Sequence, residues 1–143
     1  MQIGVETAKA VDQRRIFVVD EDEITRAALQ FMLHDEIETH ELASIEEAYE
    51  KGQDWLEPDV LILGLSIIRA KGIEILADIA QRYPAARILI VASPDEEELG
   101  IAALKAGAHG ALIKPLRMEA VRQKVDTILG RAGGAPLIQL GGL

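Results

Sequence analysis

The chain has 143 residues, 49% of them apolar and 27% charged, a length and balance that support one packed domain and argue against a multi-domain enzyme or a disordered segment. It contains no cysteine, which excludes disulfides, thiolate catalysis and cysteine-bound metal centres. The formal charge of −9 and pI near 4.8 set the chain against nucleic acid and anionic membrane, so neither is an expected partner.

Residues 1–13 read as a lead-in with no apolar leader region, which fits a cytoplasmic protein. Ile16-Phe17-Val18-Val19 is the first predicted strand. The helix after it carries Ile24, Ala27, Ala28 and Phe31 on one face. Ile37-Glu38-Thr39-His40 is more polar and suits an edge strand. Ser44-Ile45-Glu46-Glu47 is a capping box opening a helix over 46–51. Trp55, before Pro58, is expected to pack. Val60 to Leu63 forms the third strand, and Ile73, Leu76, Ile79 and Tyr83 the face of the next helix. Ile88 to Val91 is the fourth strand. Asp95 to Glu98 places four acids in the first turn of the helix that follows, where the dipole favours them. Ala111-Leu112-Ile113 is the fifth strand, and Val121, Val125, Ile128 and Leu129 mark the last helix. Residues 132–143 form a Gly-rich tail whose Leu137, Ile138 and Leu140 either dock on the domain or lead into further chain.

Continuous rather than alternating apolarity marks strands buried on both faces, as in a parallel sheet. Five alternations of strand and helix over residues 14–131 predict a doubly wound α/β domain with five helices.

Ligands of such sheets bind beyond the carboxyl ends of the strands. After the first strand stand Asp20-Glu21-Asp22-Glu23, with no Gly-rich loop to cradle a phosphate. Clustered carboxylates suit a hard divalent cation such as Mg²⁺. Asp22 and Glu23 also fit an acidic helix start. Gly64 follows the third strand, Ala92-Ser93-Pro94 the fourth, and Lys114-Pro115 the fifth, where Lys114 would serve as counter-ion to the acids. His34, His40 and His109 lie on separate elements without ligand spacing.

Val18-Val19-Asp20-Glu21-Asp22, Pro58 to Leu63, Ala103-Leu104-Lys105-Ala106-Gly107-Ala108 and Leu112-Ile113-Lys114-Pro115-Leu116 together resemble the receiver domain of two-component response regulators. The resemblance implies a flavodoxin-like sheet of strand order 2-1-3-4-5 and Mg²⁺-assisted phosphorylation of an aspartate after the third strand. It also implies a switch through a Thr or Ser and an aromatic ring. Asp20 and Glu21 fall on the family's metal-binding pair and Lys114 on its lysine. The phosphoacceptor position is Gly64, the hydroxyl position Ala92, the proline position Ile68 and the ring position Ala111. These departures imply a degenerate receiver with at most weak Mg²⁺ binding, requiring no cofactor, non-enzymatic, and acting by phosphorylation-independent contact with protein partners in a signalling pathway. Asp20-x-Asp22 is also similar to the motif of haloacid dehalogenase-like phosphatases, the alternative reading, with Asp20 as nucleophile, Asp22 as general acid/base, Ser93 binding phosphate and Lys114 holding the anion. The later metal motif of those enzymes is missing.

Charge is unevenly distributed. Residues 20–59 carry 14 acids against two bases, whereas residues 100–143 carry two acids against six bases. The receiver resemblance implies a homodimer through the helix after the fourth strand, the fifth strand and the last helix. Glu96, Glu97 and Glu98 of one copy would then face Arg117, Arg122 and Lys124 of the other.

Overall fold

Ile16, Phe17, Val18 and Val19 are all fully buried, and the pleat sends alternate residues to opposite sides of the sheet. Phe17 and Val19 join Leu61, Leu63, Ile88 and Ile90 in one core layer; Ile16 and Val18 join Val60, Ile62, Leu89 and Val91 in the other. The computed structural model describes residues 12–130; the tail and the lead-in up to residue 11 lie outside the described residues.

The strands are β1 (Asp12–Val19), β2 (Ile37–Leu42), β3 (Val60–Gly64), β4 (Arg87–Ala92) and β5 (Gly110–Ile113). They form a parallel five-stranded sheet of order β2-β1-β3-β4-β5, with β2 on an edge as its polar sequence suggests. The first strand begins at Asp12, two residues before the expected domain start, with an irregularity in its pairing between Asp12 and Arg15.

Helices α1 (Glu23–Leu33) and α6 (Met118–Leu129) cover one face through Leu29, Leu33, Val121 and Val125. Helices α2 (Ile45–Lys51), α3 (Leu65–Lys71), α4 (Ile75–Arg82) and α5 (Glu97–Lys105) cover the other. Among the described residues six α-helices thus replace the expected five. The extra one, α3, starts directly at the end of β3, and Gly72, at φ 91°, separates it from α4. Leu65, Ile67 and Ile68 bury their side chains, and Leu65, Arg69, Ala70 and Lys71 are strong helix formers, so packing and propensity both support this short helix. The acids after Ser93 are divided as well: Pro94–Glu96 is a 3₁₀ turn and α5 begins at Glu97.

Helix α1 reverses the expected face. Thr25, Leu29 and Leu33 are buried, while Ile24 and Phe31 are 80% and 67% exposed. Asp22 sets the phase: its carboxylate accepts from the Ile24 amide (3.1 Å) and the Thr25 hydroxyl (2.7 Å), turning Thr25 inward. The Ser44 cap of α2 forms as expected and accepts from the Glu47 amide at 3.1 Å. Glu47 reaches back to the Ala43 amide, one residue before the cap. Trp55 does not pack; it stands 83% exposed on the 3₁₀ turn Asp54–Leu56. Arg15 holds that turn from beneath, donating to the Trp55 and Glu57 carbonyls and to Glu38.

Candidate functional site

Register brings the expected residues together. Val19 pairs with Leu63, Gly64 with Val91 and Ala92 with Ile113, so the segments after β1, β3, β4 and β5 meet at one sheet edge. They enclose a cleft of about 390 Å³ that includes Asp20, Glu21, Asp22, Ser66, Arg69, Ser93, Glu96 and Lys114.

Asp20 is only 5% exposed and occupies the space above Gly64. A Cβ on Gly64 would lie 2.5 Å from Asp20 Cγ and 2.9 Å from Oδ1, so a side chain there and the present Asp20 position exclude one another. The Asp22 amide donates to Asp20 Oδ1 at 2.9 Å, and the Ser66 hydroxyl approaches the same oxygen at 3.5 Å. Burial raises the Asp20 pKa above its ordinary value, against the lowering effect of the Asp22 amide and the Lys114 charge. Asp22 is held below its ordinary value, first by the Thr25 hydroxyl and then by the Ile24 amide, with Lys114 contributing. Lys114 lines the same cleft as both carboxylates.

Of the acidic pair, Asp20 is buried and Glu21 exposed, while Asp22 beside them is committed to capping α1. Arg26 further fixes the loop, donating to the Asp20 carbonyl at 2.9 Å.

Two participants escape sequence reading. Ser66 and Arg69 enter the cleft because α3 exists, and nothing in the linear pattern marks that helix. Arg69 forms an ion pair with Glu96, whose other oxygen accepts from the Ser93 amide at 2.7 Å. This links α3 to the turn after β4 across the mouth of the cleft.

The expected dimer face is altered in two places. Glu96 is taken by Arg69 and Ser93, and Arg122 is taken by the α1–β2 turn: it donates to the Met32 carbonyl (2.8 Å) and pairs with Asp35 (2.9 Å) and Glu36 (3.0 Å). Glu97, Arg117 and Lys124 remain exposed. His109 has a local role, its Nδ1 accepting from the Ile88 amide at 2.9 Å.

A parallel 2-1-3-4-5 sheet with acids after β1 and lysine after β5 defines a flavodoxin-like receiver fold. The response regulator receiver domain profile matches residues 16–126, and the chain belongs to that family of two-component signalling domains. It is 28% identical over 124 residues to the transcriptional regulatory protein DegU of Brevibacillus brevis, covering 85% of this chain and 51% of that one. The chemotaxis protein CheY of Halobacterium salinarum is 28% identical over 117 residues, covering 81% of this chain and 97% of CheY. Among solved structures, a putative response regulator from Chloroflexus aurantiacus superposes with a TM-score of 0.73 at 26% identity, covering 84% of this chain and all of that one. The chain spans about half the length of the transcriptional regulators it resembles. Receiver domains in general bind Mg²⁺ at the phosphorylation site and work by contacting partner proteins. No helix among the described residues is long and apolar enough to cross a membrane.

Proposed function

We propose that this chain is a degenerate receiver that signals by protein–protein contact without being phosphorylated. One observation carries the reading: Gly64 ends β3 at the acceptor position, and the Asp20 carboxylate fills the space an acceptor side chain needs. Glycine offers no nucleophile. Ala92 and Ala111 supply neither the hydroxyl that would hold a phosphoryl group nor the ring that would report it, and the Arg69–Glu96 pair joins the two loops such a group would otherwise bridge. On this reading the domain needs no cofactor, catalyses no reaction, works in the cytoplasm, and makes no contact with nucleic acid or membrane by itself.

Incubation with acetyl phosphate and Mg²⁺ should leave the intact mass unchanged. A stable adduct overturns the proposal. Turnover of a generic phosphatase substrate that disappears in Asp20→Asn would overturn it in favour of catalysis.

The contact surface we assign is the face of α5, β5 and α6. Ile101, Leu104 and Ile113 are exposed there between Glu97 on one bank and Arg117 and Lys124 on the other. A face with one acidic and one basic bank is complementary to itself under a two-fold rotation, which favours weak homodimerisation on the same surface.

A further inference from the structure

The chain has one tryptophan, Trp55, and it stands 83% exposed on the turn Asp54–Leu56. The turn beneath it is clamped. Arg15 donates to the Trp55 carbonyl at 3.1 Å, to the Glu57 carbonyl at 3.3 Å and to Glu38 at 2.5 Å. The Arg15 amide donates to Asp59 Oδ2, and the Asp59 amide donates back to the Arg15 carbonyl, both at 2.8 Å. The Arg15 hydrogen bond first, and the His40 contact second, pull the Glu38 carboxyl down to about 2, so the clamp keeps its charge near neutral pH. Asp54 leads into the ring at φ 59°, a left-handed backbone uncommon outside glycine. An indole set in water on so fixed a base is preorganised for contact, and tryptophan is among the side chains that most often carry contact energy.

We infer that residues 1–11 of the same chain fold back onto this turn and lay Ile3 and Val5 against the Trp55 indole. This goes beyond the signalling reading and stands independently of it. Strand β1 pairs with β3 at Ile16 and Val60, and the same offset carried back sets Asp12 level with Leu56. The lead-in therefore leaves the sheet beside the turn. The tail starts from the other face: Arg14 donates to the Leu129 carbonyl at the end of α6, whereas Arg15 donates to the Trp55 carbonyl beyond α2, and α6 and α2 cover opposite sides of the sheet.

Reach and chemistry agree with this occupant. Seven residues lead from Val5 to Asp12, and a tether of that length has a root-mean-square span of ~15 Å and a reach of at most ~25 Å. The path is of that order, since Asp12 stands only three residues from Arg15, ~10 Å along the strand. Ile3 and Val5 alternate, so one side of an extended segment presents both. Lys9, the one base in residues 1–11, suits the exposed acids Asp54 and Glu57 on either side of the ring. Size favours a tethered occupant over a free one. One tryptophan brings ~150–250 Å² to a contact, far below the ~800 Å² per partner of a stable interface. A short tether supplies an effective concentration in the millimolar range, enough to hold a contact too weak to recruit a separate molecule.

Trp55 reports its own cover, because no other indole contributes to the emission of the full chain. That emission should lie to the blue of the double variant Ile3→Asp with Val5→Asp. Acrylamide should quench the variant at least about twofold more strongly, the change from a mostly covered to a mostly free ring. Both differences should hold at every protein concentration, and Leu137→Asp with Leu140→Asp should leave the indole as in the parent. A second readout does not depend on the aspartates. The chain has no cysteine, so a nitroxide attached through Gly4→Cys should broaden the amide resonances of residues 53–57 and spare those of α5. An indole as open to acrylamide in the parent as in the lead-in variant overturns the inference, as does a turn left unbroadened by the nitroxide. Cover that vanishes on dilution overturns it in favour of a second copy, and cover lost only in the tail variant overturns it in favour of residues 131–143.

Discussion

Asp20 and Gly64 must be read as a pair. Burial raises the Asp20 pKa, so the folded chain binds that proton more tightly than the unfolded chain does. The stability linked to this group is present below its ordinary value of 3.8 and is lost as pH rises through the folded pKa. Asp20→Asn keeps an oxygen for the Asp22 amide and removes the buried charge. It should raise Tm by a few degrees near neutral pH and by nothing at about pH 3, as thermal melts at both pH values would show. Gly64→Asp acts on the same space. Its Cβ displaces the Asp20 carboxylate, leaving three carboxylates around the site instead of two. Calorimetric titration should then show Mg²⁺ binding about tenfold tighter or better than in the parent chain. Amide resonances of α5 and β5 should nevertheless stay unmoved by a phosphoryl mimic, because Ala92 and Ala111 are unchanged. The places of Asp20, Glu21, Gly64, Ala92 and Lys114 at the strand ends were legible, since apolar runs mark those ends sharply, whereas Ala111, inside β5, was singled out only by the receiver resemblance. That Asp20 folds over Gly64 was not legible, because the direction of a side chain is decided by neighbours distant in sequence.

Elements were legible where a single period dominated. The three central strands, β1, β3 and β4, stand out because their apolar runs Ile16–Val19, Val60–Leu63 and Ile88–Val91 are buried on both faces. Helix α1 shows the opposite case: Ile24, Ala27, Ala28, Leu29, Phe31, Met32 and Leu33 put apolar residues nearly all round, so periodicity fits two faces equally. The Asp22 cap resolves the choice through Thr25. Helix α3 was hidden for another reason: it is seven residues long and follows β3 with no side-chain cap, so only packing of Leu65, Ile67 and Ile68 reveals it. The α1 phase has a direct check. Leu29→Ala should cost about 2–5 kcal/mol in chemical denaturation, since Leu29 is fully buried. Phe31→Ala should stay within about 0.5 kcal/mol of the parent, since that ring is largely in solvent. Equal costs at the two positions would contradict the observed face.

At the scale of the whole molecule, the uneven charge seen in the sequence is partly spent within the fold. Arg122 closes α6 onto the α1–β2 turn, and Glu96 closes the turn after β4 onto α3, so two of the charges expected to join copies instead join elements of one copy. What remains for self-association is Glu97 against Arg117 and Lys124 around Ile101, Leu104 and Ile113. Exposed ion pairs contribute only about 0–1 kcal/mol each, and a strip of three partly exposed aliphatic residues is small beside the ~800 Å² per partner of a stable interface. The dimer should accordingly be weak and sensitive to salt. Light scattering at low ionic strength should show the mass climbing from 15.6 kDa with concentration. About 0.5 M salt, where the Debye length is only a few ångströms, should return it to monomer. Arg117→Glu with Lys124→Glu should abolish the climb by setting acid against acid, and restoring it with Glu97→Lys in the same chain would fix the pairing to these residues. A dimer that survives the double reversal and the salt would use another surface, and the α1 stripe of Ile24 and Phe31 is an exposed apolar one among the described residues.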